Sequence, residues 1–207
     1  KSIVRRDTGE NWKAYVTRLM HEEGVIAKDE EPTDEEARRF DRKRKDKKVS
    51  NEEWFSPTDP DATITKMKDG TTHLAYKAEH VVDLQSDLIL AAEIRPTTHR
   101  DTQTLADSVL KAEEHLQAIG AQQSIEEVVA DKGYHGADAL ELCDSLGLRT
   151  YIPEPQRKSE WDWTERTSAH QRAVHGNRRR VKRAKGKQLQ RRRSELCERS
   201  FAHVCET

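Results

Sequence analysis

The sequence predicts an α/β domain with a mixed sheet whose parallel part is covered by helices. Three observations predict it. Residues 72–95 are rich in β-branched and apolar side chains on either side of a polar "QSD", which reads as a β-hairpin. After the hairpin, strand-like runs alternate with stretches of helical period. One of those runs, "EVVAD" at 127–131, is apolar enough for a central strand and delivers a carboxylate to its end. Alternation of this kind is how a sheet with parallel strands and helical cover is written in sequence.

The elements follow in order. Residues 7–31 are helical in flavour, with Trp12, Tyr15, Val16, Leu19 and Met20 on one stripe. Thr33 with Glu36 forms a capping-box pattern for a second, highly charged helix over 34–46. Pro57, Pro60 and Gly70 mark 50–70 as loop. The hairpin comes next. A helix runs from 101 to 120, with Leu105, Val109, Leu110, Leu116 and Ile119 as its stripe, Asp101 as its N-cap and Gly120 as its stop. A short strand covers 125–130. Residues 136–146 form a short helix stopped by Gly147, and "LRTYIP" is a strand ended by Pro153. Residues 156–185 are expected to lack order without a polyanion, given their charge and scant apolar content. A last helix begins near Lys187 and carries Leu189, Leu196, Cys197, Phe201 and Val204. The expected organisation is therefore a helical, charged segment at 1–50, a core at 51–155, a basic flexible segment at 156–185 and a C-terminal helix at 186–207.

Charge is distributed unevenly. The net formal charge is −1 over 207 residues. Residues 156–193 hold fourteen Lys or Arg against three Asp or Glu, a net of +11, while 1–155 carry a net of −10. Such a split points to a nucleic-acid-facing segment on an acidic body. Apolar residues are 33 % and charged residues 36 % of the chain, so a core forms from only part of it. The three cysteines are widely spaced and odd in number, which excludes a full disulfide framework. There is no 18-residue apolar run, and a cytoplasmic, non-membrane protein is expected. The sequence opens on Lys1 with "KSIVRRD", which reads as a fragment.

Two carboxylates draw the functional reading. In open α/β sheets, functional groups gather beyond the carboxyl ends of strands, where Asp131 is placed. Two readings of Asp131 stand: it ends the strand and caps the next turn, or the strand exists to hold it in an active site. Glu198 lies in "ELCERSFAH", beside Leu196, Cys197 and Phe201. It is either an edge residue of the apolar stripe or a second functional carboxylate. Two such groups suit Mg²⁺, a hard cation with oxygen ligands, and a two-ion site can drive phosphoryl chemistry. Cations over 157–193 would contact phosphates of a long polyanion. His135 and Cys143 have no matching second pair, so zinc is not expected.

Taken together and in order, "SPTDPDATITKMKDGTTHLAYKAEHVVDL", "VVADKGYHG", "YIPEP" and "NRRRVKRAKGKQLQRRRSELCERSFAH" resemble the DDE transposases of bacterial insertion sequences, the insertion-sequence-4-like group. "SIVRRDTGE" and "DRKRKDKKVSNEEW" fit one branch of that group. The resemblance covers nearly the whole chain. It implies a ribonuclease-H-like mixed sheet flanked by helices, with an N-terminal helical segment and a basic insertion before the last helix. It also implies metal-dependent cleavage of double-stranded DNA at element ends and strand transfer into target DNA. The cofactor implied is Mg²⁺ or Mn²⁺, as two ions, and the acting form a homo-oligomer on DNA. By motif match, Asp131 is the second and Glu198 the third of three catalytic, metal-holding acidic residues. The first sits in a Val-Asp-x-Ser motif in similar proteins, and no such motif occurs here. Asp59, Asp61 and Asp83 do not match it. Expected DNA contacts are Lys132, Tyr134 and His135 at the rim, with Arg178, Arg179, Arg180, Lys182, Arg183, Arg191, Arg192, Arg193 and Arg199. Trp161 and Trp163 could stack on a base, whereas packing is expected for Trp12 and Trp54. The alternatives are a non-catalytic DNA-binding remnant and a ribonuclease-H-like nuclease that cuts without joining.

Overall fold

The computed structural model describes residues 3–67, 70–156 and 161–205, without the side chains of 201–205. Arg157, which opens the expected basic stretch, lies outside the described residues, as do the side chains of Phe201 and Val204. The chain divides into two compact units, Lys1–Lys77 with Pro96–Thr98, and Ala78–Arg95 with His99–Thr207. The boundary therefore falls inside the hairpin and not at residue 51.

In the first unit, β1 (Val4–Arg5) pairs antiparallel with β2 (Trp54–Phe55). Helix α1 (Trp12–Glu22) is capped by Asn11, whose side chain accepts from Ala14 N. It is shorter than the expected 7–31 because Gly24 takes a left-handed φ of 68° just past its end. Helix α2 (Asp34–Lys43) has the predicted Thr33–Glu36 capping box. Tyr15, Val16, Met20, Ala37 and Trp54 form the core. The charges after α2 have a structural use: Arg44 turns inward to pair with buried Glu53 at 2.9 Å and donates to the Tyr15 hydroxyl at 2.5 Å. The expected loop 50–70 also contains α3 (Ser50–Glu53), β2 and β3 (Thr63–Lys66), the last antiparallel to the start of β4 (Thr72–Val82).

The second unit is the α/β part. The far end of β4 turns at 83–88 into β5 (Ile89–Pro96), giving the predicted hairpin. Asp83 accepts from Ser86 N and Gln85 N in that turn. Helix α4 (Asp101–Ala118) follows, with Arg100 rather than Asp101 at the N-cap. Then come β6 (Glu127–Val129), a 3-10 turn (Lys132–Tyr134), α5 (Ala137–Ser145) and β7 (Arg149–Tyr151). Strands β6 and β7 pair in parallel, so both kinds of pairing expected of an α/β fold are present, but in separate sheets and not in the one mixed sheet expected. Among the described residues, β6–β7 form a two-stranded sheet and β3–β4–β5 a three-stranded one.

The segment expected to lack order is the largest correction. Residues 168–182 form α6 (Ser168–Lys182), and α7 (Ala184–Cys205) starts three residues before Lys187. Four residues of α6, Ala173, Val174, Gly176 and Asn177, are buried, and Ala173 and Val174 join Leu105, Val109, Val128, Leu140, Cys143 and Ile152 in one core. Composition missed this because the apolar face of α6 is made of small residues between arginines. The helices meet closely: a Cβ on Gly186 would fall 2.2 Å from the Arg180 carbonyl oxygen. Burial pushes the Cys143 thiol up to about 11, so it is an inert core residue and not a nucleophile.

Candidate active site

Asp131 stands where β6 ends. It is exposed, and its carboxylate accepts from Lys132 N at 2.5 Å. It caps the 3-10 turn, while Gly136 is the N-cap of α5. The bland reading of Asp131 as a cap is therefore realised, and its exposure leaves the carboxylate accessible as well. Backbone bonds from Tyr134 N to Asp131 O (3.0 Å) and from His135 N to Lys132 O (3.1 Å) close the turn.

The glycines of "DKGYHG" are not there for a left-handed backbone. Neither Gly133 nor Gly136 has positive φ. Both allow close approach to the start of α4: a Cβ on Gly133 would lie 2.4 Å from Asp101 Oδ2, and one on Gly136 would lie 3.0 Å from Thr102 Cγ2. Gly133→Ala must displace the Asp101 carboxylate. We expect a loss of about 1 kcal/mol, the low end for overpacking because a side-chain tip can give way. Thermal unfolding should show a midpoint about 2–4 °C lower, and an unchanged midpoint would contradict the close approach.

Tyr134 points inward, not to the rim. Its hydroxyl donates to Glu79 Oε1 at 3.1 Å. Burial, then the negative charges of Glu79, Asp101 and Asp131, push its phenol well above the ordinary range. His135 is buried and stands 6.0 Å from the Trp161 ring. Trp161 and Trp163 stack on each other at 5.1 Å and pack against the core, and the Trp161 indole donates to Glu154.

Helix α7 connects this strand end to the hairpin. Lys185 pairs with Glu127 at the start of β6, at 2.6 Å. Gln190 donates to the carbonyls of Ala130, at 3.1 Å, and Tyr151, where β6 and β7 end. Arg192 donates to the Leu84 carbonyl, and Ser200 lies 3.3 Å from His80 Nδ1. The contacts advance along β6 and retreat along β4, so α7 runs with β6 and against β4. It passes the carboxyl end of β6 at Gln190. Glu198, eight residues on, lies about 12 Å further along the axis at 1.5 Å per residue. It is exposed and beyond the same strand end as Asp131.

The cations sort into two sets. Arg178 holds Glu154 through two bonds of 2.9 and 3.0 Å. Arg180 donates to Thr150 O at 2.9 Å, and Arg199 pairs with Asp87 and Glu195. Arg193 is half-buried. Arg178, Arg180, Arg192 and Arg199, together with Tyr134, are thus engaged by groups of the chain itself, and His135 is buried. Lys132, Arg179, Lys182, Arg183, Lys187 and Arg191 are exposed. Lys187, Arg191 and Glu198 share one face of α7 by their spacing. Lys187 belongs to the basic stretch but is not among the residues named one by one, and its four-residue spacing from Arg183 and Arg191 is the signal that finds it.

The donor chemistry suits a hard divalent cation, since Asp131 and Glu198 offer accessible carboxylate oxygens. Among the described residues, however, no three His, Cys, Asp or Glu side chains gather as a metal-holding group. Asp83 is engaged in its turn, and Asp59 accepts from the Tyr76 hydroxyl.

A family model for the transposase DDE domain matches residues 37–206. The chain belongs to that family. DDE transposases act in transposition, by cleavage and strand transfer of DNA, and generally use divalent metal ions. The match takes in both units, from α2 to the end of α7. No curated protein and no solved structure matches the chain. No helix among the described residues is long and apolar enough to cross a membrane.

Proposed function

We propose that this DDE transposase domain is of the insertion-sequence-4-like group, has a ribonuclease-H-like core, and cleaves and transfers DNA strands with Asp131 and Glu198 as two of its three metal-holding acidic residues. One observation supports the reading: α7 runs with β6, donates from Gln190 to the Ala130 carbonyl next to Asp131, and continues from there toward Glu198. A bound cation would neutralise phosphate charge and activate an attacking oxygen. The protein's part is to hold two accessible carboxylates at that end and to bring a phosphate backbone to them.

For the second task the exposed cations are Lys132, Arg179, Lys182, Arg183, Lys187 and Arg191. Binding to duplex DNA should fall linearly on logarithmic axes as salt rises, with a slope of about −4 to −5 if five phosphates are neutralised. The paired change Lys187→Ala with Arg191→Ala should reduce that slope by about 2. An unchanged slope would remove this face of α7 from the DNA contact.

A second reading, a DNA binder without cleavage activity, is favoured by the absence of a three-carboxylate group among the described residues. Nicking of element-end duplex with Mg²⁺ or Mn²⁺ separates the two. Duplex binding with no nicking selects the binder, nicking without joined product selects a nuclease, and joined product selects the transposase.

A further inference from the structure

The one buried residue of β4 is a glutamate. Glu79 is 4 % exposed, yet the strand around it is only partly covered. A carboxylate withdrawn from water is costly unless donors surround it. Here Thr104 Oγ1 donates to Oε1 at 2.5 Å and Ser108 Oγ to Oε2 at 2.9 Å, both from α4. Arg95 of β5 stands 3.3 Å from Oε2. These three partners belong to the framework. The fourth does not: Tyr134 is on the turn that begins at Asp131, and its hydroxyl reaches Oε1 at 3.1 Å.

We propose that Glu79 is a positioning residue for Asp131, acting through the Tyr134 hydroxyl. The inference rests on the reading of Asp131 as a functional carboxylate. Three restraints on the turn can be named. Its own backbone bonds set its shape. Gly133, pressed against Asp101, sets its distance from α4. The Tyr134–Glu79 bond sets its rotation, because it ties a side chain three residues past Asp131 to a carboxylate fixed on two strands and a helix. That bond is a polar side-chain tether from the turn into the hairpin. Asp131 itself is exposed, and the hold on its turn sets the position of its carboxylate.

The decisive variants are Tyr134→Phe, which deletes one hydroxyl and keeps the ring in the core, and Glu79→Gln, which keeps an acceptor and removes the charge. In Tyr134→Phe, amide hydrogen exchange at residues 132–135 should rise about tenfold, while α4 and α5 amides keep their protection. In Glu79→Gln, the Tyr134 phenol should ionise at lower pH by ultraviolet titration, with the Tyr134→Phe spectrum identifying its share. With element-end DNA and Mn²⁺, kcat should fall about tenfold in both variants, with KM for DNA within twofold. Unmoved exchange at 132–135 in Tyr134→Phe overturns the proposal. So does a loosened turn with unchanged kcat, or a loosening in Glu79→Gln that spreads through α4, since Glu79 is then a framework residue alone. Failure of the functional reading looks different: Asp131→Asn would nick DNA at the unmodified rate, whatever the exchange shows.

Discussion

Asp131→Asn should abolish metal-dependent nicking of element-end DNA, by more than about 100-fold, while leaving the fold as stable as before. The size follows from what is lost. Changes to groups that merely support a metal ligand cost about 10–100-fold, so removing the charge of a ligand costs more. The stability side follows from where the residue stands. Asp131 is exposed, and the one bond its carboxylate makes, from Lys132 N, can be accepted by the Asn carbonyl oxygen. A change within about 0.5 kcal/mol is expected. Glu198→Gln should lose activity to a similar degree, being exposed on α7 and at the same end of β6. Glu195→Gln, one turn earlier and paired with Arg199, is the control and should stay within about twofold. Asp131→Asn nicking at the unmodified rate would end the assignment and leave only a polyanion binder.

Legibility in the sequence followed how local each signal was. The Thr33–Glu36 box, the hairpin and the strand before Asp131 are written in neighbouring residues and appear where expected, whereas of the expected α4 stripe Leu105 and Val109 are buried and Leu110 and Ile119 are exposed. What failed was inference from composition. Charge density alone marks Arg178 and Arg180 for DNA, yet these two and Arg44 each have an internal carboxylate or carbonyl partner. Such partners lie 9 to 30 residues away in sequence, and no local pattern reports them. Motif order singles out Asp131 and Glu198, the carboxylates of the proposed site. It could not supply the role of Glu79, because a glutamate in a strand of mixed polarity reads as a solvent-facing residue until Thr104, Ser108 and Tyr134 are seen around it.

Asn177→Leu should be the most destabilising single change in the basic segment, by about 4 kcal/mol. Strand β7 ends at Tyr151, and the next residue, Ile152, is fully buried with both backbone groups still needing partners. Asn177, 1 % exposed on α6, supplies both: its Oδ1 accepts from Ile152 N at 2.9 Å and its Nδ2 donates to Ile152 O at 2.8 Å. The amide thus does for Ile152 what a neighbouring strand would do. Leucine has similar bulk but no polar atom, so a buried donor and a buried acceptor both lose their partner, at about 1–3 kcal/mol each. For a chain of this size the unfolding midpoint should drop by about 8–16 °C. Arg179→Ala, two residues away and exposed, should move it by less than about 2 °C. The consequence reaches function. Successive carbonyls of Thr150, Tyr151 and Ile152 are taken by Arg180, Gln190 and Asn177. The same side chains that seal the end of β7 therefore fix α6 and α7 against it, and with them the course of α7 past Asp131. A midpoint within about 2 °C of the unmodified protein would mean that α6 is not docked on β7, and the route that brings Glu198 to the site would lose its anchor.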